Sequence, residues 1–299
     1  MSSIQANAQG RNFVHPVMTM KTAAFLFSLA TCMAQEERTF DRTLTVSGTV
    51  NLDVVTEAGG IVVTRGAPGT VHIHGVLKAS NGFGFFGGGN APEHIRKLAE
   101  NPPVQQTGNS IRVGQVTDRS LLRNVSLRLE ITAPADTEVR ARADSGGIRV
   151  EGAKGPVDCK TDSGGIRVSG ANSDVRAEAD SGGIHIRDVK GMVHAHADSG
   201  GIEALNITGS IDAQTDSGGI QLSQVTAAPV KARAESGGVH LKLAHTGGYD
   251  IRAECSSGRL VVPDMGSTVP ATRHHAEGRI RGGGALVDIK VDSGGVEIE

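Results

Sequence analysis

Tryptophan is absent from this 299-residue chain, tyrosine occurs once and phenylalanine seven times. A core built on large aromatic rings is excluded, so burial must come from aliphatic side chains. The formal net charge is only −2. That argues against a nucleic-acid binder, which would carry a basic excess, and leaves no polybasic membrane patch. No stretch is long and apolar enough to serve as a membrane span of the mature chain. Cysteine is scarce, at Cys32, Cys159 and Cys255.

Glycine, by contrast, is plentiful at 41 residues, and much of it sits in a repeat. Asp-Ser-Gly-Gly followed by an aliphatic residue starts at Asp144, Asp162, Asp180, Asp198 and Asp216, each 18 residues after the last. The motif then drifts through Glu235, a worn copy at Ser256-Ser257-Gly258-Arg259-Leu260, and a clean copy at Asp292. A short fixed period means a stacked solenoid, in which each repeat buries its apolar face against its neighbours. The expected fold is all-β: a parallel β-solenoid of about 18 residues per rung.

Within one period, apolar and polar residues alternate, the signature of half-buried strands. Aligned repeats give inward columns of branched residues (Val139, Val157, Val175, Val193, Ile211, Val230, Ile251) and small ones (Ala141, Cys159, Ala177, Ala195, Ala213, Ala232, Ala253). After the glycines come Ile148, Ile166, Ile184, Ile202, Ile220, Val239 and Leu260. Small against large fills a thin interior without voids. The glycine pair makes the sharp corner, where a Cβ would be penalised. Asp and Ser are expected to bond the turn's own amides. A looser turn is expected near Gly152, Gly170, Gly191 and Gly209. Cys159 and Cys255 fall at inward positions several rungs apart. At ~4.8 Å per rung they exceed the ~7 Å limit for a disulfide, so both read as buried reduced thiols.

The first 34 residues read as a signal-peptide region. Lys21 precedes the apolar run Ala23–Ala30, and Cys32-Met33-Ala34 offers small residues before Gln35. Met18 or Met20 would then be the true start. Leu29-Ala30-Thr31-Cys32 resembles a lipobox, but Thr31 is a poor residue before a lipidated cysteine, which weighs against an anchor at Cys32. The expected location is exported: periplasmic, cell-envelope or extracellular.

Residues 40–138 repeat less clearly and are expected to form an irregular β-rich part, before regular repeats over 139–299. Glu57-Ala-Gly-Gly-Ile-Val-Val63 is a faint copy of the corner. One short helix is predicted near 92–100, with proline at its start and Pro102-Pro103 after its end. Ser80–Asn90, with Phe83, Phe85 and Phe86, reads as a loop folding its rings onto the body, with an exposed apolar contact loop as the alternative.

The run Val125-Ser-Leu-Arg-Leu-Glu-Ile-Thr-Ala-Pro134 leads into the repeated Ser-Gly-Gly-Ile turns. Together with Asn101-Pro-Pro-Val104 and Gly108-Asn-Ser-Ile-Arg112, it resembles the bacterial putative-adhesin β-strand-repeat family, a group of unknown function. The resemblance spans roughly residues 40–299. It implies an exported or envelope-associated β-solenoid with no known catalytic residue, so it transfers no site.

Several motifs invite chemistry. Asp-Ser-Gly-Gly surrounds the nucleophile of trypsin-like proteases, but an enzyme has one nucleophile and this chain has six full copies, and a triad also needs one positioned His and one Asp. The aspartate column invites calcium, yet the ligand pattern of calcium β-rolls is missing and turn capping explains the column without metal. His194, His196 and Asp198 lie on one face of one strand and are the candidate metal ligands. Against that, His194 would neighbour Asp212 and His196 would neighbour Glu178, ordinary cross-strand pairing; His72 and His74 are a similar case. An enzyme on this scaffold would need long loops. The expansions fall at Ala244–Asp250 and Pro263–His275, the latter holding Asp264, Arg273, His274 and His275.

The expected function is therefore a non-catalytic envelope or surface scaffold for adhesion or assembly, with no cofactor and an unidentified surface partner. The alternatives are a carbohydrate-active β-helix enzyme and a self-assembling envelope polymer. The last would use a bare strand edge left by the final repeat before Glu299 for end-to-end association.

Overall fold

Alternating side chains and glycine corners fold into two facing parallel sheets. The computed structural model describes residues 36–79, 90–265 and 272–299. The proposed signal region, Cys32 and the Phe83–Phe86 loop lie outside the described residues, as does the middle of the Pro263–His275 expansion. No helix among the described residues is long and apolar enough to cross a membrane.

Each sheet has 12 strands among the described residues. One sheet takes the strand before each glycine pair, the other the strand after it. In the regular rungs, Val157–Ser163 pairs with Thr137–Ser145 on one side and Val175–Ser181 on the other, always parallel. Ile166–Ser169 likewise lies between Ile148–Glu151 and Ile184–Val189. The register places Val on Val, Ala on Ala and Ile on Ile. The solenoid expectation holds: Ile148, Ile166 and Ile184 are buried, as are the alanine columns facing them. Burying each such isoleucine contributes roughly 1.5–3 kcal/mol. Thr161 and Thr215, in the same inward columns, satisfy their hydroxyls on the carbonyls of Gly146 and Gly200.

The corner explains its own sequence. The first glycine of the five regular corners, Gly146 to Gly218, has φ between +140° and +147°. A Cβ on Gly182 would lie 2.1 Å from the Gly164 carbonyl oxygen of the rung before. Conformation and stacking each exclude every other residue. The glycine N–H groups donate to the serine carbonyl of the next rung at 2.8–2.9 Å. That corrects the turn-capping expectation: Asp144, Asp162 and Asp180 are exposed, and among the described residues none bonds a turn amide. The looser corner also differs in detail. Its left-handed position is Gly152, Gly170, Asp188 and Asn206, one per rung. Asn206 Nδ2 donates to Asp188 Oδ1 at 2.9 Å. Gly191 and Gly209 are required instead by close approach of the preceding rung's backbone.

At both ends, stacking order departs from chain order. Val50–Ala58 and Ile61–Arg65 form a complete rung, with Glu57–Val63 as its corner. It lies between the first regular rung and an outer layer made by Ser110–Val113 and Val125–Ala133. Beyond that layer the sheet turns antiparallel, through Thr70–Ala79 to the edge strand Glu37–Thr45. The helix, Ala91–Glu100, has Pro92 in its first turn and closes this end by burying Ile95 and Leu98. It packs against Glu37–Thr45, Thr70–Ala79 and Val125–Ala133.

At the other end, the final repeat is not at an edge. Ala285–Ser293 lies between Val230–Ser236 and Tyr249–Ser257. Val296–Ile298 lies between Val239–Lys242 and Leu260–Val261. The bare strand edge expected at the last repeat is therefore absent, since both its sides are paired. The edge strands here are Leu260–Val261 and the antiparallel His275–Ile280.

Candidate functional site

The outward columns carry the polar chemistry. His194 and His196 share a strand face, as alternation requires, yet each has its own acidic partner. His194 Nδ1 is 3.8 Å from Asp212 Oδ2, and His196 Nε2 is 3.0 Å from Asp198 Oδ1. His196 stands opposite Glu178 in register, but Glu178 is held by Arg176 and by Lys160 at 3.4 Å. Among the described residues no three His, Cys, Asp or Glu side chains gather as a metal cage. His72 Nδ1 lies 2.9 Å from the Thr43 hydroxyl, and His74 Nδ1 2.8 Å from Asp41, on the antiparallel end layer.

The expansion singled out around His274 lies beside Cys255. The Cys255 thiol faces inward toward the Arg273 carbonyl at 3.5 Å, with His274 Nδ1 at 3.9 Å. His274 Nδ1 is 3.1 Å from the Cys255 carbonyl oxygen. His275 reaches Glu254 and Glu277 at 3.8 and 3.9 Å. Asp264 is exposed. These groups tie the last edge strand to the stack rather than converge on one point. Cys159 is fully buried and burial pushes its thiol up, so it is no thiolate nucleophile. Both thiols are free.

A concave feature on the second sheet was not foreseen. A shallow groove of ≈ 670 Å³ runs along the second sheet beside the second-glycine column. Gly183, Gly201, Gly219, Gly238 and Gly295 contribute no side chain, so the outward residues after them stand as a wall: His185, Glu203, Gln221, His240 and Glu297. Burial alone would raise the Glu203 carboxyl. Hydrogen bonds from His185, at 3.1 Å, and from Arg187 outweigh it and hold the group below the usual carboxylate range. His240 Nε2 lies 3.3 Å from Glu299. The groove offers a row of donors and acceptors at one rung spacing. The signal for it was the glycine column itself, read in the sequence only as a corner.

One column of this corner has a telling exception. A Cβ on Gly295 would stand 3.2 Å from the Arg259 carbonyl, and Gly201 faces Gly219 in the same way. Arg259 fills the second-glycine position of the rung that, among the described residues, has no further parallel rung beyond it. The worn copy is worn where the stacking constraint ends.

The Toastrack DUF4097 family matches residues 99–299. The chain belongs to that family. Two solved structures are similar across 88% of this chain. One is the crystal structure of a putative adhesin from Bacteroides fragilis NCTC 9343, at 12% identity over 97% of that chain and a TM-score of 0.47. The other is that of a putative cell adhesion protein from Clostridium sporogenes ATCC 15579, at 11% identity over 99% of that chain and a TM-score of 0.27. No curated protein matches.

Proposed function

We propose that this Toastrack protein is an exported, non-catalytic scaffold that presents a rigid, regularly spaced polar face to a surface or envelope partner. The observation that supports this most is the in-register column of the second sheet, His185 beside Glu203, Glu203 beside Gln221, Gln221 beside His240 and His240 beside Glu297. It fixes each outward column at ~4.8 Å per step. A ligand repeating along its own axis can meet several copies of one contact on such a face, and weak contacts then add through multivalency. The groove wall of imidazole, amide and carboxylate groups is the surface we assign to that role. Export rests on the Lys21–Ala34 segment, and a lipid anchor at Cys32 is disfavoured by Thr31.

The test combines binding and turnover. Purified protein is mixed with isolated cell envelopes and sedimented, and in parallel incubated with a panel of polysaccharides. Co-sedimentation that is lost when Glu203, Gln221 and Glu297 are changed to alanine, without polysaccharide cleavage, supports the reading. Turnover abolished by His274→Ala or Asp264→Ala would establish an enzyme and end it.

A further inference from the structure

The last repeat fills a slot whose walls precede it in the sequence. One wall is Val230–Ser236 with Val239–Lys242; the other is Tyr249–Ser257 with Leu260–Val261. Ala285–Ser293 and Val296–Ile298 enter between them with full parallel register on both sides: Val230 to Val287 to Ile251, and Ser236 to Ser293 to Ser257. Gly237 N–H donates to Ser293 O, and Gly294 N–H to Ser257 O, both at 2.8 Å. Val287, Ile289 and Val291 are completely buried. Without this repeat the two walls would face each other as open strand edges above and below an unfilled layer of core.

The slot is selective. A Cβ at Gly294 would lie 2.2 Å from the Gly237 carbonyl, and one at Gly295 3.2 Å from the Arg259 carbonyl. The occupant must therefore carry apolar residues in alternation followed by Ser-Gly-Gly-Val. That is the chain's own repeat.

The tether that delivers this repeat is short, and one of its residues, Arg281, is a non-glycine in the left-handed region. His275–Ile280 pairs with one side of Tyr249–Ser257, and Ala285–Ser293 with the other. Residues 281–284 must cross the start of that strand. Arg281 does so at φ +54°, followed by Gly282, Gly283 and Gly284 at +90°, +86° and +154°. Arg281 is held by the carbonyls of Ala244 and His245 and lies over the Tyr249 ring, 5.7 Å from its centre. A short hinge that must fold back through a left-handed arginine favours exchange of the element it carries, because extending it frees Arg281 from that conformation while every slot contact is kept.

We propose that the Ala285–Ile298 repeat is an exchangeable rung, and that its partner is a second copy of this chain: each copy inserts its last repeat into the slot of the other. The exchanged dimer keeps both stacks and both hydrogen-bonded walls and opens only the 281–284 crossing. It joins two scaffolds without using an exposed face. The inference is independent of the function proposed above.

Two measurements test it. In the full chain, deletion of Gly282 and Gly283 leaves the crossing too short for a copy to fill its own slot. Sedimentation should then read a doubled mass with an unchanged β-sheet circular dichroism spectrum; a folded monomer overturns the proposal. If the deleted chain does not fold, the second measurement decides. A fluorescent peptide of residues 285–299 is incubated with the unaltered full chain just below its unfolding temperature. Incorporation approaching one peptide per chain, lost when the peptide carries Gly294→Val, supports an exchangeable rung. No incorporation, or equal uptake of the Gly294→Val peptide, overturns it.

Discussion

The regular rungs and the two ends of the stack obey different rules. Between Val139 and Lys242, neighbours in the stack are neighbours in sequence, and each position copies the one a period before it. At the ends the chain skips a layer and returns to fill it: Val125–Ala133 enters between Ile61–Arg65 and Thr70–Ala79 at one end, and Ala285–Ile298 enters its slot at the other. The difference teaches how a solenoid can stop. An open rung exposes apolar core and strand edges. Here the outermost layers are irregular segments instead: antiparallel strands and a helix at one end, the antiparallel strand His275–Ile280 at the other.

Substitutions at matched corner positions should break this contrast most sharply. Gly182→Val combines a φ of +140° with a 2.1 Å clash on Gly164. It should cost about 3 kcal/mol or more, read as a collapse of the denaturation midpoint. Ile184→Ala should cost about 2–5 kcal/mol, because the close-packed rungs above and below cannot relax into the void. Gly201→Arg, whose Cβ would press on Gly219, should cost about 1–3 kcal/mol. The reciprocal Arg259→Gly at the last rung should stay within about 0.5 kcal/mol. Equal effects of those last two would remove the distinction between interior and end.

The smallest effect is a pH dependence. Glu203 is held below its usual range when folded. Its contribution is then fully present above the unfolded carboxylate value of about 4.3 and is lost as pH falls through the lowered folded value. The difference in melting temperature between the protein and Glu203→Gln should shrink steadily below about pH 4.3. A difference that grows on acidification contradicts the assignment.

Columns, corners and helix were legible because each is local. An 18-residue period, alternation and Pro92 need no knowledge of distant partners. Stacking order was not legible. Val287, Ile289 and Val291 suit the layer beside Val230 as well as Ile251, Ala253 and Cys255 do, and the order goes with a four-residue crossing of Arg281 and three glycines. One signal was available: Arg259 in a glycine column marks a rung on which, among the described residues, no further glycine corner is stacked. The aspartate expectation failed for a related reason, since the corner amides are taken by the next rung's serine carbonyls. The groove was missed because a glycine column is an absence, and its wall mixes residue types that share no motif.

Cysteine cross-linking tests the intercalated order most directly. Lys231 stands opposite Asp288, and Asp288 opposite Arg252. Adjacent rungs, ~4.8 Å apart, lie within disulfide reach and a two-rung gap does not. Lys231→Cys with Asp288→Cys should form a disulfide under mild oxidation, and Lys231→Cys with Arg252→Cys should not. The reverse result would put the stack in simple chain order and contradict the account.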